Sequence, residues 1–254
     1  MIKLAVIGDP VAHSRSPELH RGFMEEAGID GEYFAIRVPA GEVMGALRKM
    51  RDKEFIGCNV TYPLKEEALR ACNVLDDEAV RIGAVNTIYF GTSLEKQNFI
   101  GTNTDGVGAR LALEAIIGDS IALSRVGILG YGATARAILA QLSENDVYTF
   151  VWGRDQAKLN DVCQRFDARP WPHDNPPGIV ISTLPPDAEI PSELAEELQP
   201  VDILMDTNYG ERSTLRAILH RDVVTGEAML EAQARASFDF WLAHLERVSP
   251  AESY

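Results

Sequence analysis

Cysteine is scarce in this chain and basic charge is outnumbered. Cys58, Cys72 and Cys163 are the three cysteines among 254 residues. An odd number without CxxC spacing argues against a disulfide framework and against a thiolate zinc site, so the three read as reduced core thiols. Lysine and arginine number 24 against 38 aspartates and glutamates, a formal net charge of −14. A fixed negative field repels polyanions, which excludes nucleic acid and anionic membranes as expected partners. Any anionic ligand must then be met by cations placed locally. No run approaches the roughly 18 consecutive apolar residues of a membrane helix. The opening "MIKLAVIGDP" has a short apolar run that stops at Gly8-Asp9-Pro10. A signal peptide needs a longer run and a small-residue cleavage site, so this stretch reads as a strand with its turn, and a cytoplasmic location is expected. Fixed-period repeats and low-complexity segments are missing. Proline clusters only in "RPWPHDNPPG" at 169–178, which reads as a loop.

What is present is ordinary for a globular protein: 46% hydrophobic and 24% charged residues, in a chain long enough for one large domain or two small ones. Strand and helix signals alternate. "KLAVIG", "EYFAIRV" and "FIGCNV" read as strands. Between and after them "SPELHRGFMEEAG", "GEVMGALRKM", "LKEEALRA" and "DDEAVRIG" read as helices, the first with Ser16 as N-cap and Pro17 at its first position. "VNTIYF" and "KQNFIG" read as strands around a polar turn, and "GVGARLALEAI" as a helix. A second βαβ series starts at Arg125 with "RVGILG", "TARAILAQLS", "VYTFVWG" and "DQAKLNDVCQRF". It continues through the strands "GIVIST" and "VDILMDT" to a long final helix, "EAMLEAQARASFDFWLAHL". Such alternation predicts an α/β fold with a parallel or mostly parallel sheet and helices on both faces.

Two stretches carry chemistry. In "NVTYPLK" at 59–65, Asn59, Thr61 and Lys65 arrive together where a strand ends, the place where α/β proteins hold ligands. Taken alone, Lys65 reads as a surface lysine on a helix, and Asn86 and Thr61 as turn residues that bond their own backbone. In "GILGYGATARA", Gly127, Gly130 and Gly132 sit at a strand-to-helix turn. Glycine there lets the backbone approach a pyrophosphate, which the helix N-terminal N–H groups then bind. Ala135 replaces the third glycine of a GxGxxG pattern, a tolerated change. The next strand ends in "VWGRDQAK", where a nucleotide ribose would lie. Arg154 and Lys158 suit a 2′-phosphate, while Asp155 suits a free 2′-hydroxyl and so NAD.

Several motifs then occur in order: "SRS" at 14–16, "NVTYPLK", "GAVNT" at 83–87, "TNTDGVG" at 102–108, the glycine turn, "DTNYG" at 206–210 and "GEAMLEAQ" at 226–233. Over nearly its whole length the chain resembles the shikimate dehydrogenase family. The resemblance implies two domains with a cleft between them. An N-terminal α/β substrate domain would comprise residues 1–104 plus 226–254, and a Rossmann-like nucleotide-binding domain residues 105–225. It implies reversible reduction of 3-dehydroshikimate to shikimate, in the biosynthesis of chorismate and the aromatic amino acids, usually with NADPH. Lys65 and Asp105 would be the catalytic pair. Ser14 and Ser16 would bind the substrate carboxylate, Thr61, Asn86 and Gln233 its hydroxyls, and Tyr209 and Asn59 would belong to the same site. On the cofactor side it places Gly130, Tyr131, Gly132, Ala133, Thr134, Arg154, Asp155, Lys158, Thr183, Thr207 and Gly226. No metal is implied.

The chain departs from the family pattern at "GYGA", where GAGG is usual, at "GRD", where Asn-Arg-Thr is usual, and at "GERSTLRAIL", which lacks the usual proline and TPLL. The first two bear on the cofactor, for which NADP is expected and NAD is the alternative. Quinate or an amino-analogue of shikimate remains an alternative substrate, and Glu67, close behind the lysine motif, is one position bearing on that choice. A ligand sensor without catalysis is a third reading, against which stand Lys65 and Asp105. A hydride placed on a ketone leaves negative charge on oxygen, which a held lysine is suited to neutralise. Monomer and homodimer are both compatible with the sequence.

Overall fold

The computed structural model describes residues 1–91, 98–118, 124–144 and 147–248. Lys96 and Gln97, which open the expected strand "KQNFIG", lie outside the described residues. The chain divides into two compact units. One takes Met1–Thr104 and resumes at Gln233; the other takes Asp105–Ala232. The division falls at Gln233, inside the last helix.

The first unit is built on a six-stranded sheet in the order β2-β1-β3-β5-β6-β4. Its strands are β1 (Ile2–Gly8), β2 (Gly31–Arg37), β3 (Gly57–Val60), β4 (Val74–Leu75), β5 (Thr87–Phe90) and β6 (Phe99–Thr102). Strand β1 pairs in parallel with β2 and β3. Strand β5 runs antiparallel to both β3 and β6, so this sheet is mixed but mostly parallel, as the alternation predicts, with β5 the one reversed strand. The short β4, absent from the sequence reading, pairs with Ile100 and Gly101. Strands β1 and β3 are apolar and largely buried, as central strands covered by helices must be. Helices α1 (Ser16–Glu26), α2 (Val43–Asp52), α3 (Lys65–Ala71) and α4 (Asp77–Ile82) cover the sheet. One core packs Ile7, Leu47, Leu64, Ala68 and Ile88 together. In a second core Leu4, Phe23, Met24 and Tyr33 meet Ala234, Phe238 and Trp241 of the final helix, α10 (Glu227–Val248). Trp241 is fully buried, and its indole N–H donates to the Ile88 carbonyl at 2.9 Å. A Cβ at Gly57 would stand 2.5 Å from that indole nitrogen, so glycine there admits the ring.

The second unit has six parallel strands in the order β12-β11-β10-β7-β8-β9. They are β7 (Arg125–Leu129), β8 (Tyr148–Trp152), β9 (Arg169–Pro170), β10 (Ile179–Ser182), β11 (Ile203–Asp206) and β12 (Val224–Thr225). The unit's helices are α5 (Asp105–Ile117), α6 (Ala133–Leu142), α7 (Gln156–Arg165), α8 (Ser192–Leu198) and α9 (Thr214–Leu219). The direction of strand addition reverses between β7 and β10. In a doubly wound sheet that reversal opens a crevice at the carboxyl ends of these strands. The proline-rich stretch is not wholly a loop: Arg169 and Pro170 form β9 on the sheet edge beside Phe150 and Val151. An edge position tolerates proline because one side of the strand needs no donor.

Candidate active site

In the first unit one edge of the sheet gathers the motifs. The carboxyl ends of β1, β3 and β6 reach it, and antiparallel β5 starts there. After β1 the chain turns through "DPVAHSRS" into α1. Ser16 does not cap this helix; Arg15 holds the cap position, and no side chain caps the helix there. The hydroxyls of Ser14 and Ser16 instead lie 3.2 Å apart, and Ser16 N–H donates to Ser14 Oγ at 3.3 Å. Two hydroxyls held together in this way make a compact donor pair. Thr61 follows β3 directly; its N–H donates to the Ile7 carbonyl at 2.9 Å, and its methyl packs against Gly8. Four residues on, Lys65 opens α3, and its carbonyl accepts from Val85 N–H at 2.9 Å.

Glu67 carries a role that its spacing concealed. Its carboxylate accepts the backbone N–H groups of Gly41 at 2.7 Å and Val43 at 2.9 Å. It therefore closes the N-terminus of α2, and both its oxygens are engaged there.

Beneath the edge lies a buried hydrogen-bond network. Asn59 accepts from Tyr33 Oη at 2.7 Å and donates to Thr87 Oγ1 and Ser237 Oγ, both at 3.0 Å. Asn86 accepts from Thr87 Oγ1 at 2.8 Å and Thr104 N–H at 3.0 Å, and its amide reaches Thr104 Oγ1 at 3.0 Å and Gln233 Oε1 at 3.4 Å. Thr104 Oγ1 also donates to the Gln233 carbonyl at 3.0 Å. Asn59, Asn86 and Gln233 are thus brought together, with Asn59 enclosed by protein partners. Tyr33 and Ser237 lie outside the motifs read from the sequence, and Thr87 and Thr104 lie inside "GAVNT" and "TNTDGVG" with no role assigned there. Gln233 and Ser237, one helical turn apart on α10, were the available signal. Burial raises the Tyr33 phenol well above its ordinary pKa. His20 stacks on Tyr33 at 4.4 Å with neither ring nitrogen bonded, and burial lowers it to about 3. His13 is exposed.

In the second unit the glycine turn follows β7. Gly130 has φ +110°, a conformation for glycine, and a Cβ there would stand 2.6 Å from Thr183 Oγ1. Thr183, just beyond β10, holds the turn by donating to the Leu129 carbonyl at 2.9 Å. Gly132 precedes Ala133 and Thr134 at the start of α6, with no side-chain cap and open space where a Cβ would be. Ala135 is fully buried, as the tight approach of a third glycine position requires. Past β8, Asp155 caps α7 by accepting from Ala157 N–H at 3.0 Å and Lys158 N–H at 3.1 Å, and Lys158 Nζ lies 3.9 Å from its other oxygen. Arg154 borders a cavity of about 280 Å³ with Trp152, Leu184, Pro185, Ala188 and the carboxylates of Asp187 and Glu189. A flat ring fits between a guanidinium and such apolar walls. The uncapped helix start, the open cradle at Gly132 and two cations at the end of β8 fit a dinucleotide.

After β11, the loop with Thr207 and Tyr209 is fastened by Asp206. This fully buried carboxylate accepts from Ser213 Oγ, Leu215 N–H, Asn208 N–H and Asn208 Nδ2, all at 2.9–3.0 Å. Thr207 N–H donates to the Ser182 carbonyl at 2.9 Å. Gly226 approaches Thr207 so closely that a Cβ would collide with its carbonyl, and Gly226 N–H donates to the Asn208 carbonyl at 3.0 Å. The sequence motif "DTN" contained Asp206 without revealing its four partners.

No group of acidic, histidine or cysteine side chains among the described residues has the arrangement of a metal site. The cysteines are free, and burial raises Cys72 to about 12 and Cys58 and Cys163 above their ordinary value. Among the described residues no helix is long and apolar enough to cross a membrane.

Residues 6–88 match the family model for the shikimate dehydrogenase substrate binding domain. A shikimate dehydrogenase (NADP(+)) of Hyphomonas neptunium is 32% identical over 94% of this chain and 90% of its own length. Among solved structures, the shikimate dehydrogenase of Aquifex aeolicus superposes with a TM-score of 0.84 at 25% identity, covering 97% of both chains. The shikimate 5-dehydrogenase of Thermus thermophilus in complex with NADP(H) and shikimate does so at 0.80 and 29%, covering 96% of this chain and 94% of that one.

Proposed function

The chain belongs to the shikimate dehydrogenase family, and from that premise we propose that it reduces 3-dehydroshikimate reversibly to shikimate with NADPH, using Lys65 and Asp105. The first unit serves as the substrate domain and the second as the nucleotide domain. The observation that supports the reading best is the convergence of Ser14, Ser16, Thr61, Lys65 and Asn86 on one sheet edge, above a network that fixes Asn86.

The bound dinucleotide supplies the hydride. Everything else falls to side chains of this chain. The hydroxyls of Ser14 and Ser16, held 3.2 Å apart, donate to the substrate carboxylate. Thr61, Asn86 and Gln233 read the ring hydroxyls, and Tyr209 borders the ring. Asn59 holds Asn86 and Thr87 in place from below and so positions the readers. As charge develops on the carbonyl oxygen, the Lys65 ammonium donates its proton there; in the reverse direction the neutral amine takes it back. Asp105 accepts from the substrate hydroxyl next to the reacting carbon. Its peptide link to Thr104, whose N–H bonds Asn86, ties it to the same network. Asp155 is committed to capping α7 and to Lys158, so its charge is partly compensated, which favours NADP over NAD. Three protonated thiols agree with work in the reducing cytoplasm.

Steady-state kinetics test the catalytic pair. Lys65→Ala should lower kcat by about 10²–10⁴-fold and leave the shikimate KM nearly unchanged, because the proton is transferred only in the transition state. Asp105→Asn should damage both parameters. A Lys65→Ala enzyme with intact kcat and a steeply raised KM would make Lys65 a binding residue.

A further inference from the structure

The middle of the glycine turn and the residues after β8 form one packed group. Tyr131 stands between Gly130 and Gly132, and its ring lies across Gly153, so that a Cβ at 153 would collide with Cδ1 and Cε1 of the ring. Lys158 Nζ lies 5.8 Å from the centroid of that ring, within the range of a cation–π contact. The same ammonium is 3.9 Å from Asp155 Oδ2, while Asp155 Oδ1 is held by two backbone N–H groups of α7. The ring therefore spans from the pyrophosphate turn to the end of β8. That is the span a ribose must cover, since its 2′ position falls at the end of the second strand of such a unit.

We propose that Tyr131 is a specificity-determining residue for the 2′-phosphate of the cofactor, acting as the platform that holds the Lys158 ammonium beside Arg154. Lysine is a flexible point charge on a long stem and ordinarily loses rotamer freedom when it binds an anion. Here the ring on one side and Asp155 on the other limit that freedom before any ligand arrives. The carboxylate, which alone would repel a 2′-phosphate, becomes part of the clamp. Gly153 is the condition for it, because only glycine leaves the space that the ring fills. Tyr131 acts through Lys158, so an aromatic ring is what the position needs; the hydroxyl is dispensable.

This inference rests on the NADP reading above, and direct binding separates the two. Isothermal titration at one salt concentration measures Kd for NADP and for NAD on the wild type, Tyr131→Phe, Tyr131→Ala, Gly153→Ala and the Tyr131→Ala/Gly153→Ala double variant. The wild type should bind NADP more tightly than NAD. Tyr131→Phe should stay within about twofold of it, and Tyr131→Ala should weaken NADP about three- to fivefold and NAD less than twofold, in the range an exposed cation–π platform supplies. Gly153→Ala should displace the ring and copy Tyr131→Ala, with no further loss in the double variant. Unchanged NAD affinity guards against a merely misfolded nucleotide unit. An equal loss of NADP and NAD in Tyr131→Ala, or a Tyr131→Phe variant as weak as Tyr131→Ala, overturns the platform. A wild type that prefers NAD overturns the cofactor reading instead.

Discussion

Glu67 and Val43 are joined across two helices: the carboxylate on α3 accepts the first N–H of α2 at 2.9 Å. Glu67 lies two residues after Lys65, so the bond that closes α2 also fixes the helix that presents the lysine. Glu67→Ala leaves the N–H groups of Gly41 and Val43 without their acceptor. It should lower stability by about 1–2 kcal/mol and reduce kcat moderately, with Glu67→Gln in between. Urea denaturation gives the first number and steady-state rates the second. A shift in preference between shikimate and quinate with no loss of stability would return Glu67 to the substrate.

Asn59 is the hub of the buried network, with an acceptor bond from Tyr33 and donor bonds to Thr87 and Ser237. Replacement by leucine, close in volume, strands several buried polar groups at once. The expected cost is about 3 kcal/mol or more, with a raised shikimate KM because Asn86 loses its support. Calorimetry on Asn59→Leu and Asn59→Asp decides the matter. A stable leucine variant with normal KM would mean that the network is decorative.

His20 gives the stability a pH dependence of known sign. Burial lowers its pKa to about 3, whereas in the unfolded chain it titrates near the ordinary value of 6.5. Above pH 6.5 both states are neutral and nothing is lost. As the pH falls below 6.5 the unfolded chain binds a proton that the folded chain refuses, and stability drops until the folded pKa is reached. The slope is at most about 1.4 kcal/mol per pH unit. Between about pH 6.5 and about pH 5 the wild type should lose up to about 2 kcal/mol more than His20→Phe. Parallel denaturation curves for the two proteins across that window would clear His20 of any part.

Gly57 faces the Trp241 indole with no room for a methyl group. Gly57→Ala should therefore push the ring off the Ile88 carbonyl and cost about 2–4 kcal/mol, comparable with Trp241→Ala at about 3–5 kcal/mol. The two losses should be less than additive, because the ring contact is shared while the clash of the new methyl with the Ile88 carbonyl remains. A double-mutant cycle in guanidinium reads this directly.

Much of the fold was legible because the alternation of apolar strands and amphipathic helices is a local property. The strand-to-helix turn at Gly130 and the "NVTYPLK" corner could be placed from the chain alone. What escaped was long-range. The antiparallel course of β5 follows from pairing with β3, to which its own four residues give no clue. Edge strand β9 was hidden by its proline, a residue that marks loops far more often than edges. Ser16 sits before Pro17 as a cap should, yet its hydroxyl turns to Ser14. Glu67 and Asp206 do their work on backbone N–H groups distant in sequence or beyond a loop, and nothing in spacing discloses that. The partnership of Tyr131 with Gly153 was visible only as two unrelated departures from a pattern.

The first unit is interrupted. It is not complete until Ala234, Phe238 and Trp241 of α10 reach Leu4, Phe23 and Tyr33. On the ribosome those helix residues emerge only after every residue of the second unit has been made. At about 5–20 residues per second the first unit waits for several seconds or more with one apolar face uncovered, while the second, which is continuous in sequence, has all its own strands in hand. A nascent chain stalled before α10 should thus expose the sheet of the first unit to chaperones and proteases and shelter the second unit.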